Sequence, residues 1–256
     1  MTMASGHVHV EERGDRATVT IERPAKLNAL TADAFADLET AFKEFDDGEP
    51  PAVVVVRGAG GDFSAGVDVA GVPEWAEAGP LAVRDALSGV HDALRAIEGL
   101  DAPVVAAIEG YCLGGGLELA VACDLRVARA DATFGLPEVD LGLAMDLGGA
   151  QKLPGLIGEG KTKELIMTGE SIDGERAHEI GLVERVAPPE RFDATVDDLV
   201  ATLASKPTYV LGLAKRQVHA ARPLNLEAAM DQAIHHAVAA YQEDETQRRV
   251  QEFVGE

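Results

Sequence analysis

The stretch "GYCLGGGLELAVACD" (110–124) sets three consecutive glycines, Gly114 to Gly116, beside an apolar run broken by one acid, Glu118. Before it, "PVVAAIE" (103–109) is a continuous apolar segment of the kind buried on both faces of a sheet. After it, "DLRVAR" (124–129) returns to a strand pattern, so the unit reads strand, turn, helix, strand, which is α/β organisation. Glycines at such a turn let the backbone bend sharply and approach a ligand without a Cβ in the way. The helix that follows opens with unpaired N–H groups and a partial positive charge, which together stabilise a developing anion. Glu118 lies three residues after Gly115 on the same helix face, and its side chain leans back toward the N-terminus. Alone, that placement has two readings: a carboxylate aimed at whatever the amides hold, or an acid complementing the helix dipole, worth ~0.3–1 kcal/mol.

A second stretch, "FGLPEVDLGLAMDLGGAQKL" (134–153), supplies Glu138 after the φ-fixing Pro137, and Asp146 before another glycine pair. Singly, Glu138 is a turn residue and Asp146 an N-cap for a helix starting near Gly148. Together with Glu118 they form a candidate acid/base cluster.

Toward the N-terminus, "HVHVEE" (7–12) and "ATVTIE" (17–22) alternate around "RGD" and predict a β-hairpin. "TADAFADLETAFKEFD" (31–46) sets Phe35, Leu38, Phe42 and Phe45 on one helical stripe behind a Thr31 N-cap. "AVVVVR" (52–57) is another doubly buried strand and ends in the glycine-rich loop "GAGGDFSAGVD" (58–68). A helical segment spans about 80–99, and from about 148 onward the pattern is mostly helical. The division expected is a core over 1–200 and a helical appendage over 201–256 whose apolar stripes face another subunit.

The net charge of −22, from 44 acids against 22 bases, leaves no basic face for phosphate backbones, so nucleic acid is excluded as a partner. The acids are scattered in clusters such as "KEFDDGE" (43–49) and "YQEDETQ" (241–247), the pattern of a solvated surface suited to a salt-rich cell. No apolar stretch approaches a bilayer-spanning length, and "MTMASGHVHVEERGD" (1–15) lacks the charged and apolar regions of a signal peptide. A cytoplasmic location is the expectation. Cys112 and Cys123 read as small buried hydrophobes. His235 and His236 lack a third ligand at sensible spacing, so no metal site is expected.

"GLIGEGKT" (155–162) matches the phosphate-loop pattern, but no buried strand precedes it and Pro154 stands directly before Gly155. It reads as a turn between two helices.

The motifs "RPAKLNAL" (23–30), "DFSAGVD" (62–68), "GYCLGGGLELAVACD", "FGLPE" (134–138) and "LGGAQKLP" (147–154) resemble the enoyl-CoA hydratase/isomerase (crotonase) family. The resemblance runs to about "GLVERVAP" (181–188) and more loosely beyond. It implies a β-β-α spiral core with a C-terminal helical trimerisation region, a homotrimer or dimer of trimers, an acyl-CoA thioester substrate, and no cofactor beyond the CoA of that substrate. It implies an oxyanion hole at the backbone N–H groups of Val67 and Gly115, and paired acids at Glu118 and Glu138. Substrate contacts are implied at Ala25, Lys26 and Leu27, at Ala65, Gly66, Asp68 and Val69, and at Gly114 and Pro137.

Hydration of a 2-enoyl thioester needs a base to activate water at C3 and an acid to protonate C2; Glu118 is assigned the first role and Glu138 the second. Two departures leave an alternative open. Hydratases usually carry proline where this chain has Met145, and an aspartate eight residues after the second acid, as Asp146 is, resembles the dienoyl-CoA isomerases. A 3-enoyl or 3,5-dienoyl isomerase using Asp146 is therefore the second reading; a binding-only protein would be favoured had either glutamate been replaced. The segment "GVPEWAEAGPLAVRDALSGV" (71–90) is expected to shape the acyl-tail pocket, with Trp75 lining that pocket or anchoring the segment to the core.

Overall fold

The computed structural model describes residues 2–4, 6–48, 50–221 and 225–255, without the side chains of 2–4, 75 and 76; the expectation for the Trp75 side chain lies outside them. Strand β1 (Thr2–Ala4) pairs with β2 (Val8–Arg13), which turns through Gly14 and Asp15 into β3 (Arg16–Ile21), the predicted hairpin. Helix α1 (Ala32–Asp47) starts at Thr31, whose side chain accepts the Ala34 N–H at 3.1 Å, and buries Phe35, Leu38, Phe42 and Phe45.

Strand β4 (Val53–Gly58) shows why its sequence is continuously apolar. Val54 and Val56 enter the main core with α1, whereas Val53 and Val55 face Phe192, Val196, Leu199 and Val200 on the opposite side. Helices α2 (Val72–Ala78) and α3 (Pro80–Gly99) follow, then β5 (Val104–Ile108) and the short β6 (Tyr111–Leu113). Helix α4 (Gly115–Ala122) is wholly buried and leads into β7 (Leu125–Arg129). After β8 (Thr133–Gly135) come a 3-10 turn (Pro137–Leu141), α5 (Gly149–Thr168), β9 (Ile172–Asp173), α6 (Gly174–Glu179), β10 (Arg185–Ala187) and α7 (Phe192–Ala204). The main sheet runs β1-β2-β3-β4-β5-β7-β10, parallel from β3 onward, and β6-β8-β9 form a smaller sheet beside it.

Two sequence expectations need correction. The glycine triplet does not follow the buried strand directly, because β6 intervenes and pairs with β8. Asp146 does not cap α5: the N-cap is Gly148, and no side chain caps it. The 155–162 segment lies inside α5, which breaks at Gly158 (φ 77°), so it is a turn between two helical stretches as expected.

Helix α8 (Thr208–Ala220) docks on the core through Lys215, whose ammonium donates to Asp124 at 2.8 Å and to the Ile97 carbonyl at 3.2 Å. Helices α9 (Leu226–Gln242) and α10 (Asp244–Gly255) bury no residue. Among the described residues no helix is long and apolar enough to cross a membrane. Both cysteines are buried and free, and burial pushes the Cys123 thiol up to about 12.

Candidate active site

The site forms where the loops leaving the carboxyl ends of β4 and β5 meet, the usual place for a ligand beside a parallel sheet. Ser64 stitches them: its N–H donates to the Tyr111 carbonyl at 2.8 Å and its carbonyl accepts the Leu113 N–H at 3.0 Å. Asn28 supports the same loop from beneath. It is fully buried at φ 55°, its side-chain amide donates to the Ala59 and Asp62 carbonyls at 2.8 and 2.6 Å, and its Oδ1 accepts the Arg23 N–H at 2.9 Å. The Ser64 hydroxyl donates to the Asn28 carbonyl at 2.9 Å and accepts the Gly66 N–H at 3.1 Å. Neither role is readable from the sequence, because the partners of Asn28 and Ser64 lie far from them along the chain.

This framework leaves two amides free. On either side of Val67, the Gly66 carbonyl accepts from Leu30 and the Asp68 N–H donates to Leu30, both at 2.8 Å, while the Val67 N–H has no protein acceptor among the described residues. Likewise Gly114 donates to the Gly135 carbonyl at 2.9 Å, and the Gly115 N–H, first in α4, has none. The two segments that carry them pack closely together. A Cβ on Gly66 (φ 98°) would stand 3.3 Å from the Gly115 nitrogen, so the approach tolerates no side chain.

Three carboxyls surround this gap. Glu118 is buried, and its Oε1 accepts N–H bonds from Leu147 at 3.2 Å and Gly149 at 2.7 Å. Its carboxyl thus turns to the start of α5 instead of merely complementing the dipole of its own helix. Burial pushes its pKa to about 7; the Gly149 N–H opposes that rise, and the nearby Glu138 and Asp146 charges add to it. Glu138 is half-buried, and its Oε2 has no partner among the described residues. Burial, then the Asp146 charge, raises its pKa. Asp146 is exposed as a residue, yet the packing around its carboxyl also raises its pKa, with His91 opposing.

All three acids line one cavity of about 350 Å³, together with Ala65, Gly66, Val67, Val69, Gly114, Gly115 and Pro137. Its apolar wall includes Phe35, and Val72, Val83, Leu87 and Val90 come from the 71–90 segment. Ala25, Lys26 and Leu27 lie outside this wall on an exposed turn, tied to it by the Ala65 N–H donating to the Leu27 carbonyl at 2.8 Å. The Asp68 carboxylate is held by Arg23 at 3.1 Å and by the Ala70 N–H at 3.2 Å, so it braces the loop. A cavity of about 390 Å³ at the other end of α4 carries paired charges instead: Lys152 with Glu98, Lys215 with Asp124, Arg126 with Glu184. Among the described residues no group of three or more His, Cys, Asp or Glu side chains could hold a metal.

The profile of the family described as "Enoyl-CoA hydratase/isomerase" matches residues 12–256. The short-chain-enoyl-CoA hydratase of Clostridium acetobutylicum is 34% identical over 229 residues, 89% of this chain and 87% of that protein. The peroxisomal Delta(3,5)-Delta(2,4)-dienoyl-CoA isomerase of Arabidopsis thaliana is 31% identical over 221 residues, 82% of this chain and 80% of that protein. The crystal structure of enoyl-CoA hydratase from Thermoplasma volcanium superposes with a TM-score of 0.90 at 32% identity, covering 97% of each chain. With its sequence, fold and glycine-framed amides in agreement, the chain belongs to the enoyl-CoA hydratase/isomerase family.

Proposed function

We propose that the protein is an enoyl-CoA hydratase, adding water across the 2,3 double bond of a 2-enoyl-CoA thioester. The observation that carries this reading is that the Val67 and Gly115 amides, without a protein acceptor among the described residues, belong to residues lining the cavity that holds Glu118 and Glu138. Amides aimed at a thioester oxygen stabilise the enolate that forms when C3 is attacked, and each such donor is worth ~2.7–4 kcal/mol of barrier. Glu118 takes a proton from water as its oxygen bonds to C3, and Glu138 delivers a proton to C2, so the sum is one water added. Two N–H donors to Glu118 work against the burial that raises its pKa, whereas Glu138 Oε2 has no donor among the described residues, which suits a proton carrier.

In this reading Ala25, Lys26 and Leu27 contact the adenine and pantetheine of CoA, with Lys26 near its phosphates. Ala65, Gly66 and Asp68 belong to the loop on the pantetheine side, Val69, Gly114 and Pro137 add further substrate contacts, and no cofactor beyond the substrate's own CoA takes part. The reaction would serve fatty-acid β-oxidation in the cytoplasm. The exposed Met230, Ile234, Val238 and Tyr241 of α9 support a homotrimer or dimer of trimers that covers them, which sedimentation analysis reads directly.

The second reading, a dienoyl-CoA double-bond isomerase, is favoured by Asp146 lining the same cavity. Crotonyl-CoA and a 3,5-dienoyl-CoA assayed side by side separate the two. Faster hydration of crotonyl-CoA is expected, and dominant dienoyl isomerisation would overturn the hydratase reading.

A further inference from the structure

One peptide group joins a histidine outside the cavity to Glu118. The Asp146–Leu147 peptide offers its carbonyl to His91 Nε2 at 2.5 Å and its N–H to Glu118 Oε1 at 3.2 Å. A carbonyl only accepts, so Nε2 carries the proton whether the ring is neutral or charged. His91 sits on α3, a different element from both Glu118 on α4 and the loop that bears Asp146, and it does not line the cavity. Donation to a peptide oxygen draws charge from the peptide nitrogen and strengthens the N–H on the far side, by about 10–30% per linked bond. The acidic groups facing Glu118 are Glu138 and Asp146, and both oppose its ionisation. Next to His91 on α3, Asp92 is committed to Arg95 at 2.7 Å.

We propose that His91 is a positioning residue that acts through the Asp146–Leu147 peptide to hold Glu118 in its ionised, water-activating form. Its imidazole fixes the loop that aims the Leu147 and Gly149 amides at Oε1, and polarises one of them. The catalytic use of that carboxylate rests on the hydratase reading; the proton affinity of Glu118 does not.

The test is a pH titration of the Glu118 carboxyl by ¹³C NMR, with the signal assigned by its loss in Glu118→Gln. Unmodified protein, His91→Phe, which keeps a ring but no donor, and His91→Gln, which restores an N–H donor, are compared. The expected result is a proton affinity of Glu118 about threefold or more higher in His91→Phe, a midpoint displaced upward by about half a pH unit, and a return toward the unmodified value in His91→Gln. An unchanged midpoint in folded His91→Phe, or equal midpoints in the two variants, would overturn the relay. Crotonyl-CoA turnover by the unmodified sample is read separately: its absence removes the hydratase reading and leaves the carboxyl titration to decide the role of His91.

Discussion

A Cβ on Gly115 would stand 2.8 Å from Val67 Cγ2 and 3.4 Å from the Val67 amide nitrogen, so the two segments that carry the free amides meet with no space for a side chain. Gly115→Ala therefore forces the loops apart and misaligns both donors. Steady-state kinetics with crotonyl-CoA are expected to show kcat reduced by about 10²–10³-fold, the loss typical of one oxyanion donor. A kcat within threefold of the unmodified value would count against the amides as the carbonyl site.

Glu118→Gln separates stability from chemistry. The amide oxygen of glutamine still accepts the Leu147 and Gly149 N–H bonds, while the cost of burying a charge disappears. The folded pKa of about 7 lies above the ordinary 4.5, so the folded state binds the proton more tightly. Stability from this group is complete below about pH 4.5 and is lost as pH rises through 7. The variant is expected to gain up to ~3 kcal/mol over the unmodified protein at pH 8, with the gap closing toward pH 5. Denaturant melts at the two pH values check this, and equal stability at pH 8 contradicts it.

Much of this was legible in the residues. Alternation marked the hairpin, an unbroken valine run marked a doubly covered strand, and glycines beside isolated acids marked segments that meet at one cavity. What escaped were relationships between distant segments. Nothing in "KLNAL" announces that Asn28 ties the Ala59 and Asp62 carbonyls together, and the Leu147 and Gly149 amides that hold Glu118 lie 29 and 31 residues away from it. Asp146 looked like a cap because acids favour helix starts, but the Gly149 N–H is claimed by Glu118.

Asp146→Asn distinguishes the two chemistries. For a hydratase, Glu118 and Glu138 suffice, so crotonyl-CoA turnover is expected to change less than about tenfold, below the 10²–10⁴ that a general acid or base contributes. A loss beyond a hundredfold would place Asp146 in the reaction and favour the isomerase.

The net charge of −22 repels itself in dilute buffer. Thermal melts are expected to shift upward from low salt to molar KCl as counterions screen that repulsion. A melt equally high or higher at low salt would contradict a salt-adapted surface.

The decisive measurement is a crystal structure with bound butyryl-CoA, a saturated analogue that is not hydrated. The account predicts the thioester oxygen at about 2.7–3.1 Å from both the Val67 and Gly115 nitrogens, with C2 and C3 between Glu118 and Glu138. An acyl group seated away from those two amides would contradict it.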